Sequence, residues 1–134
     1  MKRLISVLSL LALAACTARG GQAVDARSQA GLDRALAGLV PGQPTSCIPL
    51  AGRSVLSTCA YGDTLVYKTN NGEAYRNDTA GGCGNAARGD ILVSVQYEGR
   101  PCSGDIVRTV DPYARITTGS CALGPFVPYR KSPR

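Results

Sequence analysis

Thr64-Leu65-Val66-Tyr67-Lys68-Thr69-Asn70-Asn71-Gly72-Glu73-Ala74-Tyr75-Arg76-Asn77 reads as a β-hairpin. Thr64 to Thr69 is dominated by β-branched and aromatic side chains, which suit a pleated and half-buried surface. Asn71-Gly72 follows, and both residue types tolerate the positive φ that a tight hairpin turn needs. Glu73 to Asn77 is then the return strand. This is the strongest hairpin signal in the chain, and it sets antiparallel pairing as the expectation for its surroundings.

Working outward, Ser54 to Ala60 reads as a strand joined to the hairpin at Tyr61-Gly62-Asp63. Downstream, Thr79 to Asp90 is rich in glycine and carries Cys83, so it is expected to be a loop suited to pinning by a disulfide. Ile91 to Tyr97 is strongly strand-forming, and Glu98-Gly99-Arg100-Pro101 turns the chain. Asp105 to Val110, Ile116 to Leu123 and Phe126 to Tyr129 complete the strands, with Asp111-Pro112 opening a turn between the first two. Leu65, Tyr67, Ile91, Val93, Val95, Ile106, Val110 and Phe126 are the expected core. Upstream, Leu32, Leu36, Leu39 and Val40 fall at helical spacing. Asp25 or Ser28 can cap that helix, Gly31 and Gly38 weaken it, and Pro41-Gly42-Gln43-Pro44 ends it.

The N-terminus is of another kind. Lys2 and Arg3 precede an apolar run from Leu4 to Leu13, broken by Ser6 and Ser9. This run is too short to span a ~30 Å hydrocarbon core, and it reads as a secretion signal. Leu13-Ala14-Ala15-Cys16 then resembles the lipobox of bacterial lipoproteins at all four positions. The resemblance implies cleavage before Cys16, acylation of that cysteine, and a mature chain from Cys16 to Arg134. An ordinary cut after Ala15 would prefer a small residue where Leu13 stands. Thr17, rather than Asp, resembles the outer-membrane default. The implied organisation is a leader over 1–15, a lipidated tether over 16–28, a short helix and linker over 29–46, a β domain over 47–129 and a basic tail over 130–134.

Export places the remaining cysteines in an oxidising compartment, where disulfides are the default. Cys47, Cys59, Cys83, Cys102 and Cys121 are odd in number, so at least one stays unpaired or bonds another molecule. The expected fold is mainly β, a small antiparallel barrel or sandwich stapled by disulfides and preceded by one short helix. A small domain buries a limited core, and staples compensate for that.

The net charge of +6 includes Lys2 and Arg3, so removal of the leader leaves about +4. Arginines are scattered through the folded part and cluster only at Arg130-Lys131-Ser132-Pro133-Arg134, read as a solvated terminus. Without a basic helix or an aromatic-basic platform, nucleic acid is not an expected partner.

Histidine is absent, which removes Ser-His-Asp and Cys-His nucleophilic sites. No Cys-x-x-Cys spacing supports thiol exchange or a zinc knuckle. No metal and no cofactor is expected. Gly81-Gly82-Cys83-Gly84 opens no helix, so it is not a phosphate loop. Asp63, Glu73, Asp78, Asp90, Glu98, Asp105 and Asp111 fall mostly at turns, where local hydrogen bonding favours Asp. Asn77-Asp78-Thr79 matches a glycosylation sequon by chance. Tyr61, Tyr67, Tyr75, Tyr97, Tyr113 and Tyr129 fit either a wet binding surface or the rim of the core.

Cys47-Ile48-Pro49-Leu50, Tyr75-Arg76-Asn77, Gly82-Cys83, Cys102-Ser103-Gly104-Asp105-Ile106 and Cys121-Ala122-Leu123-Gly124-Pro125-Phe126 occur in this order. Together they resemble an uncharacterised family of small exported proteobacterial proteins, over about Leu36 to Tyr129. The family brings no catalytic residue. Cys47, Cys83, Cys102 and Cys121 stand at positions similar to its cysteines, and Cys59 departs from its pattern. Four cysteines allow three connectivities. The pairing expected under this resemblance is Cys47–Cys102 with Cys83–Cys121, leaving Cys59 as a free thiol. A Cys47–Cys59 bond stays open as the alternative.

The functional expectation is a lipoprotein of the bacterial cell envelope, anchored by lipid on Cys16, most simply at the outer membrane facing the periplasm. Its role is expected to be structural or binding, not enzymatic. An envelope protein or cell-wall polymer is the expected partner beside the membrane itself. A wall-acting enzyme, or an inhibitor of a wall hydrolase, is the alternative.

Overall fold

The hairpin forms in the computed structural model, which describes residues 26–49 and 55–133. Its strands are β3 (Thr64–Thr69) and β4 (Ala74–Asp78), numbered in an order of eight, with Tyr67 opposite Tyr75. Gly72 takes φ +80° whereas Asn71 does not take a positive φ. The Thr69 amide donates to the Glu73 carbonyl at 3.0 Å, and the Gly72 amide donates to the Thr69 carbonyl at 3.2 Å. The connection is therefore a three-residue loop with glycine in its left-handed position, not the two-residue turn expected from Asn71-Gly72.

The other strands are β1 (Leu39–Pro41), β2 (Val55–Tyr61), β5 (Ile91–Ser94), β6 (Ile106–Val110), β7 (Thr117–Ala122) and β8 (Phe126–Lys131). Sheet one runs β1-β8-β4-β3-β2 and sheet two runs β5-β6-β7, with every pairing antiparallel. Neither sheet closes on itself. The architecture is a sandwich, which removes the barrel from the two alternatives. One helix, α1 (Ala26–Leu36), lies on the outer side of sheet one.

Two cores result. Between the sheets, Ile48, Leu65, Tyr67, Tyr75, Val107, Leu123 and Phe126 pack around the bond joining Cys83 to Cys121. Under the helix, Leu32 meets Val66 and Ala74, with Tyr61 and Tyr129 at the margin. A Cβ at Gly31 would stand 2.9 Å from the Tyr61 ring, so glycine lets the helix settle there. The second disulfide, Cys47–Cys102, joins an isolated antiparallel bridge at the sandwich edge. Asn77 is fully buried in the first core. Its amide donates to the Gly124 carbonyl at 2.7 Å and its oxygen accepts from the Gly124 amide at 3.0 Å. Both ends are satisfied, which is what a buried carboxamide requires.

Tyr67 sets edge-on to Phe126, with ring centroids 5.5 Å apart. Burial, aided by the charge of Asp105, pushes its hydroxyl above the usual phenol range. The folded state thus holds this proton more tightly than the unfolded chain, whose tyrosines titrate near pH ~10. The stability it contributes is complete below that pH and is lost as pH rises beyond it. Tyr67→Phe, in a Cys59→Ser background that excludes thiol exchange, is expected to flatten the fall in urea midpoint above pH ~10. An unchanged alkaline slope would assign the effect to another group.

Several expectations are corrected. The helix ends at Leu36, because Gly38 turns the chain at φ +74° and Leu39 and Val40 pair with Lys131 and Arg130 of β8. The β-structure therefore begins at Leu39, ahead of 47, and the basic tail is shortened. Arg130 lies in β8 and its Nε is 2.8 Å from Glu73 Oε1. The loop over Thr79 to Asp90 contains a short 3₁₀ turn, Gly84–Arg88. Strand β5 stops at Ser94, three residues before Tyr97.

The core list changes most in sheet two. Leu65, Tyr67 and Phe126 are buried, while Ile91, Val93, Val95 and Ile106 are about half exposed and Val110 is intermediate. Val107 and Thr109 face inward instead. The reason is register: Val107 lies directly opposite Cys121, and Cys121 must point into the sandwich to reach Cys83. A strand has two faces with a period of two, so that bond assigns every other side chain of β6.

Candidate binding face

Sheet two leaves its outer side uncovered. Ile91 and Val93 on β5 and Ile106 on β6 point outward, continued by Val95 and Tyr97 beyond the strand. Ile116 and Tyr113, in the connection from β6 to β7, are exposed as well. Seven of the eight large apolar residues exposed among the described residues belong to this sheet and its connections. Scattered exposed apolar residues are normal, but a contiguous set on one face marks an interaction surface. Tyr97 and Tyr113 are 86% and 93% exposed.

Arg108 sits within that face, opposite Val93 in register. With Val93, Val95, Tyr97 and Ile106 it lines a shallow depression of about 180 Å³. No ion pair joins Arg108 among the described residues. This arginine is also the signal by which sequence reasoning could have found the face. A lone buried charge is costly, so the parity Arg108 shares with Ile106 and Val110 is the outward one.

A second depression, polar and about 330 Å³, is lined by Asp63, Gly82, Gly84, Asn85, Arg88, Thr118, Gly119 and Ser120. Asp63 is its only carboxylate, and Oδ1 already accepts the Cys83 amide at 3.0 Å. A side-chain anion thus occupies the glycine loop where a phosphate would have to sit.

The acids weighed for chemistry each hold a local structural partner. Glu73 binds Arg130, and Asp78 binds Arg76 at 3.0 Å and the Thr64 hydroxyl at 2.8 Å. Asp90 meets the Thr118 hydroxyl, and Glu98 meets Arg100 at 3.0 Å. Asp105 accepts the Cys102 amide at 2.8 Å, and Asp111 accepts the amides of Tyr113 and Ala114, each at 2.7 Å. Hydrogen bonds to Asp within its own turn are the usual reason for Asp in a loop.

The structure brings Cys47 to Cys102 and Cys83 to Cys121. Cys59 is free and half-buried on β2, an edge strand of sheet one. It neighbours Tyr61, whose hydroxyl burial pushes upward, with Cys59 adding to the shift. Glu98 approaches both sulfurs of the Cys47–Cys102 bond, the closest grouping to a metal-ligand set among the described residues. With both sulfurs engaged in the disulfide, it offers a cation one carboxylate.

The six tyrosines form no common platform. Tyr67 and Tyr75 are buried between the sheets, Tyr61 and Tyr129 edge the core beneath α1, and Tyr97 and Tyr113 stand in solvent. Cys16, the leader before it and Asp25 lie outside the described residues. No described helix is long and apolar enough to cross a membrane. Comparison of the chain with protein-family models, with curated proteins and with solved structures gives no match to any of them.

Proposed function

We propose that this protein is a lipoprotein of the bacterial cell envelope, anchored through acyl chains on Cys16, with a binding rather than catalytic role. The anchor rests on the leader and on the lipobox-like Leu13-Ala14-Ala15-Cys16. Each buried CH₂ of an acyl chain adds about 0.8 kcal/mol, so two or more chains hold a soluble domain on a bilayer. The outer membrane, with the sandwich facing the periplasm, is the location in keeping with Thr17. The binding role is carried by one observation, the apolar outer face of β5–β7 displayed on a disulfide-stapled sandwich.

Palmitate labelling with membrane fractionation tests the anchor. The full chain is expected to take up label and to stay with membranes through a high-salt wash, and Cys16→Ser to lose both properties. Retention of label by Cys16→Ser would refute the reading. Release of soluble fragments from purified cell wall by the protein would overturn the non-catalytic part.

A further inference from the structure

We propose that the polar depression beside the glycine loop binds the head of an α-amino acid, with Asp63 facing its ammonium group and Arg88 its carboxylate. The site shares no residue with the depression on the outer face of β5–β7. It goes beyond the envelope reading and does not depend on the Cys16 anchor.

Opposite charges line this one depression, and neither is ion-paired among the described residues. Asp63 stands half-buried in the turn between β2 and β3. Its Oδ1 accepts the Cys83 amide, and its Oδ2 holds no partner among the described residues. Arg88 ends the 3₁₀ turn, is exposed, and donates through Nη2 to Asn85 Oδ1. Asp90, two residues further on, meets the Thr118 hydroxyl instead of Arg88.

Each charge is held on its own side, which keeps the two from closing on one another. Cys83, which fixes Asp63, is bonded to Cys121 of β7. Asn85, which holds Arg88, donates through Nδ2 to the Thr118 carbonyl of β7 at 3.0 Å. Groups fixed in advance of the ligand lose little freedom on binding it. A lone anion at Arg88 would also face Asp63, and a lone cation at Asp63 would face Arg88. A ligand that carries both charges a few bonds apart complements both walls at once.

The floor is backbone. Gly82 and Gly119 have no room for a Cβ, and a Cβ at Gly84 would stand 3.6 Å from Asp63 Oδ1. Glycine at these positions leaves the space beside the carboxylate to a ligand. The volume of about 330 Å³ lies at the small end of ligand pockets, which suits an amino acid rather than a polymer strand.

Alanine is the probe, because it is little more than the head itself. The isotope-labelled full chain carrying Cys16→Ser is titrated with L-alanine and D-alanine, and with N-acetylalanine and alaninamide, which each lack one charge. The amide resonances of Gly82, Gly84 and Gly119 are expected to move saturably with at least one enantiomer of alanine. Both blocked compounds are expected to bind about tenfold more weakly. Asp63→Asn keeps an oxygen for the Cys83 amide; it and Arg88→Gln are each expected to weaken alanine binding about tenfold. Asp63→Asn should also narrow the gap between alanine and N-acetylalanine, and Arg88→Gln the gap between alanine and alaninamide. A merely structural role would move neither gap, and an unchanged thermal midpoint verifies that the variants fold. Shifts that rise linearly with either enantiomer and never saturate would overturn the inference, leaving Asp63 and Arg88 as solvated surface charges. N-acetylalanine binding as tightly as alanine would also overturn it, because Arg88 would then hold an anion without help from Asp63. None of these results depends on acylation, which palmitate labelling tests separately.

Discussion

Gly82→Ala and Gly119→Ala are each expected to destabilise the fold by about 3 kcal/mol or more, a large share of the total for a small domain. A Cβ on Gly119 would stand 2.3 Å from the Gly82 carbonyl oxygen and 3.0 Å from Thr109 Oγ1. A Cβ on Gly82 would stand 2.2 Å from the Ser120 carbonyl oxygen. The nearest obstructing atom in each case is a backbone carbonyl oxygen, which no rotamer change moves. Gly82 also has φ +99°, which adds a conformational penalty of about 1 kcal/mol or more for any L side chain. Gly99 is the control, with φ +68° and nothing within 4 Å of its would-be Cβ. Gly99→Ala therefore isolates the backbone penalty at about 1 kcal/mol. The two close-contact variants share one crossing, so the double variant should cost less than the sum. Urea unfolding of all four proteins measures this. A Gly119→Ala midpoint equal to that of Gly99→Ala would show that β7 does not run this close to the glycine loop.

Removing the Cys83–Cys121 bond is expected to cost more than removing Cys47–Cys102, although loop closure alone predicts the reverse order. The bonds span 38 and 55 residues, and chain entropy assigns each about 4 kcal/mol with only a few tenths between them. Burial decides the difference. Cys83 and Cys121 are 0% and 4% exposed within the inter-sheet core, while the other bond joins a buried Cys102 to a half-buried Cys47 outside that cluster. Replacing both central cysteines by alanine also leaves a void where two sulfurs packed, adding roughly 1–2 kcal/mol. The comparison belongs in a Cys59→Ser background, because a free thiol can exchange with either bond. A larger loss for the Cys47–Cys102 pair would mean that the edge bridge, rather than the core, holds the two sheets together.

Local chemistry was legible wherever neighbours in sequence decide the structure. Thr64–Thr69 forms the strand read from its composition, and the loop before Glu73 turns at Gly72 as a hairpin should. The helix was legible at Leu32, which packs beneath it, but not at its end. Leu36, Leu39 and Val40 continue the apolar spacing after the chain has already left the helix. What captures Leu39–Pro41 is β8, some ninety residues away, and its unpaired edge is invisible from the local pattern. The candidate face was missed for a related reason. Ile91, Val93 and Ile106 are the most apolar residues of their strands, and hydrophobicity alone assigns them to a core.

The sequence by itself determined an antiparallel β domain behind one helix, the places where most strands begin, and the residue types able to cap, turn and cross-link them. These follow from preferences that act over a few residues: φ limits, strand propensity and turn hydrogen bonds. The tertiary structure alone decided that the strands form two open sheets, that Leu39–Pro41 joins one of them, and which face of β5–β7 looks outward. A strand read alone can turn either side toward the core. Here the choice was made by Cys121, held inward by Cys83 and directly opposite Val107, which left Ile91, Val93, Ile106 and Arg108 on the surface.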